Sequence, residues 1–416
     1  MMSMKILQAD TAVIGGGAAG LMAAALLAER GIDTLVIEPN KIMGKKLRIT
    51  GKGRCNLTNN CDNKRFLENV PCNGSFLYSA INRFGTADTM AFFERIGVPL
   101  KTERGSRVFP LSDSAHDVAN ALERYGREKG VRTLHGRVTA LKIAHGALCG
   151  VIAEDTEIRC QAAILCTGGV SYPGTGSTGE GYALAQSVGH TITAPHGSLV
   201  PLSSDDAYCA EMQGFSLRNV TLRAFDENNK MVFEELGELL FTHFGVSGPL
   251  VLSASAHLRD YSIHRYRLSI DLKPGLSEQQ LDNRVLRDFK KYANRDFCNA
   301  LCDLAGSTMI PVLVRLSGIP EDTKINSVTR EQRGTLVRLL KDFPVSVSGP
   351  RPVEEAIITS GGVNVKEINP KTMASKLIKG LYFAGEIIDT DAYTGGFNLQ
   401  IAWSTAFAAA QSAEAG

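Results

Sequence analysis

The chain has 416 residues, enough for two or three domains and a large apolar core. Its 45 lysines and arginines against 43 aspartates and glutamates leave a formal net charge of +2, so nothing global points to a polyanion-binding protein. Nine cysteines, an odd number without CxxC pairs or a Cys/His array, argue against a disulfide framework or a metal site and suit reduced thiols in a cytoplasm. Met1–Lys5 followed by the apolar Ala18–Ala28 run superficially resembles a leader peptide. A glycine-rich loop interrupts that run, however, and no stretch reaches the roughly 20 apolar residues of a membrane span. The expectation is a cytoplasmic protein, not membrane-bound, whose first strand begins almost at residue 6.

Asp10–Ile14 reads as a short apolar strand running into Gly15-x-Gly17-x-x-Gly20, with an alanine- and leucine-rich helix from Leu21 to about Arg30. A second apolar run, Thr34–Glu38, ends on an acid. Gly15 permits the tight turn, Gly17 lets backbone approach a pyrophosphate, and Gly20 lets helix and strand pack closely. Glu38 stands at the offset that accepts hydrogen bonds from ribose hydroxyls, so strand, glycines, helix, strand and acid together predict a dinucleotide site.

Amphipathic helices follow over Asp88–Gly97 and Ser114–Gly130, the second capped by Ser114 or Asp113. Arg137–Ile143 and Leu148–Ala153 alternate as a hairpin, and Ala162–Cys166 forms a buried strand. The pattern over 1–195 is that of a doubly wound α/β sheet. From Leu199 to Pro274 the chain is β-rich, with a turn at Asp226–Lys230. From Ser277 to about Asp342 it is helical, with caps at Ser277 and Thr329. Gly380–Gly385 is again a buried strand, and Asn398–Ala415 a long alanine-rich helix. The expected layout is a nucleotide domain over 1–195 and 350–416, split by a β-rich subdomain over 196–275 and a helical one over 276–349.

Three further blocks carry chemistry. Gly44–Asn59 packs glycines and five cations between Lys45 and Arg54; backbone at Gly51 and Gly53, with Lys46 or Arg54, suits a pyrophosphate and a polar heteroaromatic ring, while Cys55 reads as a packing residue. Cys166–Gly179 contains a second literal GxGxxG, Gly174-x-Gly176-x-x-Gly179, which follows Pro173 rather than a strand and reads as a loop. Leu381–Glu386 is a strand ending in a carboxylate, and Gly395–Asn398 then presents backbone N–H groups and a helix N-terminus to a ring edge. Candidate acids and bases are Tyr172 and Tyr393 in glycine loops and His243 in Phe241–Pro249.

At these blocks the sequence resembles the BaiN/YhiN-like family of FAD-dependent oxidoreductases, whose members include bile-acid enone reductases and aminoacetone oxidases. The resemblance is carried by Val13–Gly20, GKGRCNLTN at Gly51–Asn59, CTGGVSYPGTGSTG, FTHFGVSGP and Ala384–Ala402. It implies a Rossmann-like FAD domain holding an inserted β-barrel-like subdomain and a small helical subdomain. It also implies FAD contacts at Gly15, Gly17, Ala18, Ala19, Glu38, Lys46, Gly53, Arg54, Cys55, Asn56, Thr58 and Gly168. Further contacts are implied at Gly385, Glu386, Gly396, Phe397, Asn398 and Leu399, with Val138 as a backbone contact to adenine. Two departures stand out: Gly385-Glu386 replaces the usual Gly-Asp, and Lys52 replaces the small residue of the GGGRCN pattern.

The expected activity is hydride transfer at flavin N5, with NAD(P)H as a transient reductant of an activated C=C or similar small-molecule electrophile. One alternative is an oxidase of a small amine such as aminoacetone. The other is an RNA-modifying or nucleic-acid-binding flavoprotein using the Lys45–Arg54 cations, against which the near-zero net charge counts; no nucleic-acid partner is expected.

Overall fold

A computed structural model describes residues 4–259, 261 and 263–414. Met1–Ser3, at the head of the leader-like segment, and Ala415, expected in the last helix, lie outside the described residues. The chain forms two compact units, one of Met1–Ser198 with Val353–Gly416 and one of Leu199–Pro352.

The first unit is built on a parallel five-stranded sheet in the order Leu381–Phe383, Ala162–Leu165, Thr11–Ile14, Thr34–Glu38, Arg132–His135. The three central strands are wholly buried. That is why they read as unbroken apolar runs rather than alternating ones. The helix Ala18–Glu29 packs on the C-terminal helix Phe397–Ser412 and on Ala115–Glu128. Alanines dominate the first two helices, so their axes approach closely and both are buried almost all round. The expected hairpin is present as Val138–Ala144 paired antiparallel with Ala147–Ala153. Ser114 is the N-cap residue of the helix after it, without a side-chain cap bond.

The second unit centres on a seven-stranded sheet ordered Phe343–Val347, Tyr266–Asp271, Ser216–Phe225, Met231–Thr242, Gly245–Ser247, Leu202–Ser203, Gly349–Pro350. The two outer strands of that order are separated in sequence by Ser348 alone. The sheet must therefore curl until its edges meet, which makes it barrel-like. Ser348 N–H donates to the Ser203 carbonyl at 2.9 Å across the closure.

Between Asp271 and Phe343, the two longest helices, Glu278–Lys291 and Arg330–Lys341, start on the predicted caps. Ser277 and Thr329 each accept from the N–H three residues on, and Gln280 and Gln332 return bonds of 2.9 Å. These helices share one hydrophobic core with the barrel, Leu281, Val285, Leu336 and Leu340 lying in the same cluster as Leu268, Ile270 and Phe343. The stretches 196–275 and 276–349 thus form one compact unit, because the barrel's own outer strand follows the last helix directly. Lys341 fixes the junction, with its Nζ 2.5 Å from the buried Asp271 carboxylate and donating to the Leu276 carbonyl at 2.8 Å. Among the described residues, no helix is long and apolar enough to cross a membrane.

Candidate functional site

The glycine turn has the space and the constraints that the sequence implied. Gly15 has φ +100°, and a Cβ there would sit 2.6 Å from the Cys166 carbonyl oxygen. A Cβ on Gly20 would collide with the Gly15 carbonyl oxygen. At Gly17, by contrast, nothing lies within 4 Å of where a Cβ would be. Gly17 is also the N-cap of Ala18–Glu29, and no side chain caps that end. Open space thus meets a helix N-terminus whose N–H groups favour an anion.

Glu38 is 9% exposed and accepts from Gly16 N–H at 2.6 Å and from Asn40 N–H and Nδ2 at 2.8 and 2.7 Å. Three of the roughly four acceptor positions of a carboxylate are occupied, which fixes its orientation and leaves little capacity for a further donor. A cavity of about 290 Å³ opens beside it, lined by Asn40, Lys41, Met43 and His135 and by apolar Leu21, Val36 and Leu122.

A second cluster gathers around Glu386. Lys46 Nζ donates to Glu386 Oε2 and to Ser171 Oγ, both at 2.7 Å. Ser171 donates to Glu386 Oε1 at 2.9 Å, as does Thr359 N–H. Thr359 Oγ1 in turn accepts from the N–H groups of Val170 and Ser171. Ser171 and Thr359, absent from the sequence reading, thus orient the carboxylate. Their signal was present in Thr359-Ser-Gly-Gly362, a β-branched residue against paired glycines, but it resembles any strand end. Next to this cluster, Thr167 Oγ1 at the Gly168 turn is a buried hydroxyl without a partner.

The third element is the N-terminus of Phe397–Ser412. Gly396 is its N-cap at φ +97°, where a Cβ would strike the Thr58 backbone. Asn56, with its amide oriented by its neighbours, accepts from Gly396 N–H at 3.0 Å and donates to Thr58 and Val108 carbonyls. Thr58 Oγ1 donates to Gln400 Oε1 at 2.6 Å, Asn59 Nδ2 to the Gly395 carbonyl at 3.1 Å, and Trp403 Nε1 to the Leu57 carbonyl at 3.0 Å. The Asn398 side chain turns back on Ala392, accepting at 2.9 Å and donating at 2.6 Å. The GRCN and GGFN blocks, remote in sequence, are thereby bound to each other.

The remaining candidates fall as follows. Arg54 stacks on Phe109 at 4.3 Å, and its guanidinium lies 2.5 Å from both Glu103 and Asp113, so its charge is engaged by acids. Cys55 is fully buried, and burial pushes its thiol up to about 12. Gly53 faces open space, Val138 is buried at the start of its strand, and Leu399 packs against the core. Gly385 donates to Thr405 Oγ1 at 2.9 Å. Tyr172 is 37% exposed at φ +53°, with Lys46 Nζ 5.9 Å from its ring centroid. Tyr393 is half-buried, its N–H donating to the Asn69 carbonyl. Nearby Asp391, missed in sequence, is fully buried and accepts from Ser198 and Ser360 hydroxyls at 2.7 Å. His243 belongs to the second unit, exposed in the turn between Met231–Thr242 and Gly245–Ser247, its ring edge-on to Phe244. The Gly174–Gly179 stretch is a loop, as read, held by Lys45 Nζ on the Gly174 carbonyl and Asn40 Nδ2 on that of Thr175.

The HI0933-like protein Rossmann domain family matches residues 9–412. The chain belongs to this family. It is an FAD-dependent oxidoreductase. A 3-dehydro-bile acid Δ(4,6)-reductase of Clostridium scindens is 30% identical over 407 residues, covering 96% of this chain and 98% of that protein. A ribosomal RNA dihydrouridine synthase of Haemophilus influenzae is 30% identical over 414 residues, covering 97% and 98%. Among solved structures, the 3-ketosteroid-Δ4-(5α)-dehydrogenase of Rhodococcus jostii RHA1 superposes with a TM-score of 0.54 at 15% identity, over 98% of this chain and 97% of that one. It shows the shared fold.

The residues fit FAD: an open turn at Gly17 on a free helix end, an acid and a cavity at the end of the second strand, a buried orphan hydroxyl at Thr167, and a second free helix end at Gly396. The expected FAD contacts at the turn, at Lys46 with Glu386 and at Gly396–Leu399 could hold it, and Glu38 has about one acceptor position left for a ribose hydroxyl.

Proposed function

We propose that the protein reduces a C=C bond conjugated to a carbonyl, with NAD(P)H as the reductant. The reaction class is supported by two relatives aligned over nearly the whole chain. Their substrates, by name, differ widely. Yet a Δ(4,6)-reductase of a 3-dehydro bile acid and a maker of dihydrouridine both saturate a C=C in conjugation with a carbonyl. Bound FAD would supply the hydride chemistry.

The observation in this chain that carries the reading is the uncapped helix N-terminus at Gly396–Phe397, pinned by Asn56. Its free N–H groups and partial positive charge favour negative charge held at a ring edge, as a reduced ring requires. Elsewhere in the same unit, Lys46, Ser171 and Glu386 form a continuous hydrogen-bonded path. Tyr172, next to Lys46, is the first candidate to pass a proton to the carbon opposite the hydride; Tyr393 is the other in the first unit.

A second reading places a uracil ring of RNA as the substrate, favoured by the Haemophilus relative and by the exposed cations Lys52, Arg104 and Arg107. The test is anaerobic stopped-flow mixing of the FAD-loaded protein with NADH and NADPH, then with a conjugated steroid enone or with unmodified ribosomal RNA. Bleaching by a nicotinamide followed by reoxidation with either substrate supports the reading. Failure of both nicotinamides, with peroxide release from a small amine, would replace it by the oxidase.

A further inference from the structure

Away from the Glu386 network, one buried histidine joins three segments of the first unit. His190 has no exposed side-chain surface. Its Nδ1 lies 3.1 Å from Glu367 Oε2, its Nε2 lies 2.8 Å from Ser375 Oγ, and Phe383 meets the ring edge-on at 4.8 Å. Counting hydrogen bonds fixes where the protons are. Ser375 Oγ already accepts from the N–H groups of Leu377 and Ile378, at 3.0 and 2.9 Å, which uses both lone pairs of a hydroxyl. Its own proton is left to donate to Nε2. His190 is therefore the neutral tautomer whose Nδ1–H donates to Glu367.

We propose that His190 is a positioning residue for Glu386: in its neutral form it pins the Ser375–Ile378 turn, and an added proton at Nε2 releases that turn. The inference rests on the reading of Glu386 as part of the cofactor site. With Nε2 protonated, the Ser375 oxygen faces three donors with two lone pairs. Either a backbone N–H of the turn or the buried charged ring then loses its partner, and both are costly.

The turn matters because it anchors the strand that delivers Glu386. Ser375 N–H donates to the Leu381 carbonyl at 2.8 Å, and Phe383 N–H to that of Met373 at 3.0 Å. Leu381–Phe383 has only three residues and lies at the sheet's edge, so these side bonds hold it as much as its ladder does. Burial of the ring opposes its protonation, and Glu367 acts in the other sense. On the segments packed against it, Lys366 is exposed, Lys376 donates to the Lys366 carbonyl and Tyr382 to that of Ser412. Glu367 is thus the charge that acts on the ring.

The test follows two readouts from pH 7.5 to 5: hydrogen–deuterium exchange of the peptide 373–383, corrected for intrinsic rate, and the Kd for FAD. In the wild-type protein both should rise at least fivefold on acidification. His190→Gln, which cannot titrate, should hold each within about twofold. Glu367→Gln, lacking the charge that favours the imidazolium, should move the transition to lower pH. A His190→Gln profile parallel to wild type would overturn the proposal, as would exchange of that peptide that ignores pH. Should His190→Gln fail to fold, Glu367→Gln decides, an unmoved midpoint counting against the pin. If the exchange transition is present but no FAD binds at any pH, the cofactor reading fails and the pin stands.

Discussion

Lys46→Met tests the Glu386 cluster most directly. The Lys46 and Glu386 side chains are 22% and 12% exposed and meet at 2.7 Å. Removing the ammonium leaves the carboxylate with two donors, Ser171 Oγ and Thr359 N–H. Breaking a fully buried pair from one side costs about 3–5 kcal/mol. The surviving donors and the partial exposure of Lys46 reduce that to about 2–3 kcal/mol. In a unit of this size the melting temperature should fall by roughly 4–10 °C, read by calorimetry on the FAD-free protein. Lys46→Arg keeps the charge and should melt much closer to wild type. The double variant Lys46→Met with Glu386→Gln, which leaves no unpaired carboxylate, should recover much of the loss. The reasoning fails if Lys46→Met melts within a degree of wild type, or if the two substitutions simply add.

Other outcomes follow from the same geometry. Gly20→Ala should abolish FAD retention on gel filtration while the second unit stays folded, because its Cβ has no place beside the Gly15 carbonyl and neither backbone can rotate away. Lys341→Met should destabilise the second unit by about 3–5 kcal/mol, since it strands Asp271, only 3% exposed, as an unpaired buried charge; urea unfolding monitored in each unit would detect it. Burial holds the Cys55 and Cys160 thiols up at about 12, so at pH 8 on the order of one in ten thousand is thiolate. Iodoacetamide with peptide mapping should label exposed Cys149 and Cys302 and spare Cys55 and Cys160 until the protein unfolds.

The dinucleotide half of the fold was legible because its rules are local. A strand, three glycines, a helix and an acid leave a fixed spacing, and the structure keeps Gly15, Gly17, Gly20 and Glu38 in those places. The capping boxes at Ser277 and Thr329 were legible for the same reason. Ser171 and Thr359 were not, because what makes them part of the site is a carboxylate 215 and 27 residues away in sequence respectively, brought in by strand order. The edge strand Arg132–His135 was missed since three of its four residues are exposed and polar patterning hides it. The division of the insertion into two pieces followed a real change from strand to helix text. What that change could not show is that Phe343–Val347 returns to pair with Tyr266–Asp271, which puts strands and helices around one core.

The closure of the barrel has a consequence for how the molecule can change. Leu202–Ser203 and Gly349–Pro350 pair with each other, so the chain enters and leaves the second unit side by side. In the first unit, Ile192–Ser198 and Ile358–Val363 likewise run together as an antiparallel pair. Bringing such ends together across a loop of this length costs about 4–5 kcal/mol of chain entropy when the loop is unstructured. A folded insert holds its own ends together and removes that cost, whatever its interior contains. The second unit is in this sense a cassette on a paired stem. It can be exchanged for another of different shape while the carboxyl-terminal strand and helix still return to finish the cofactor domain.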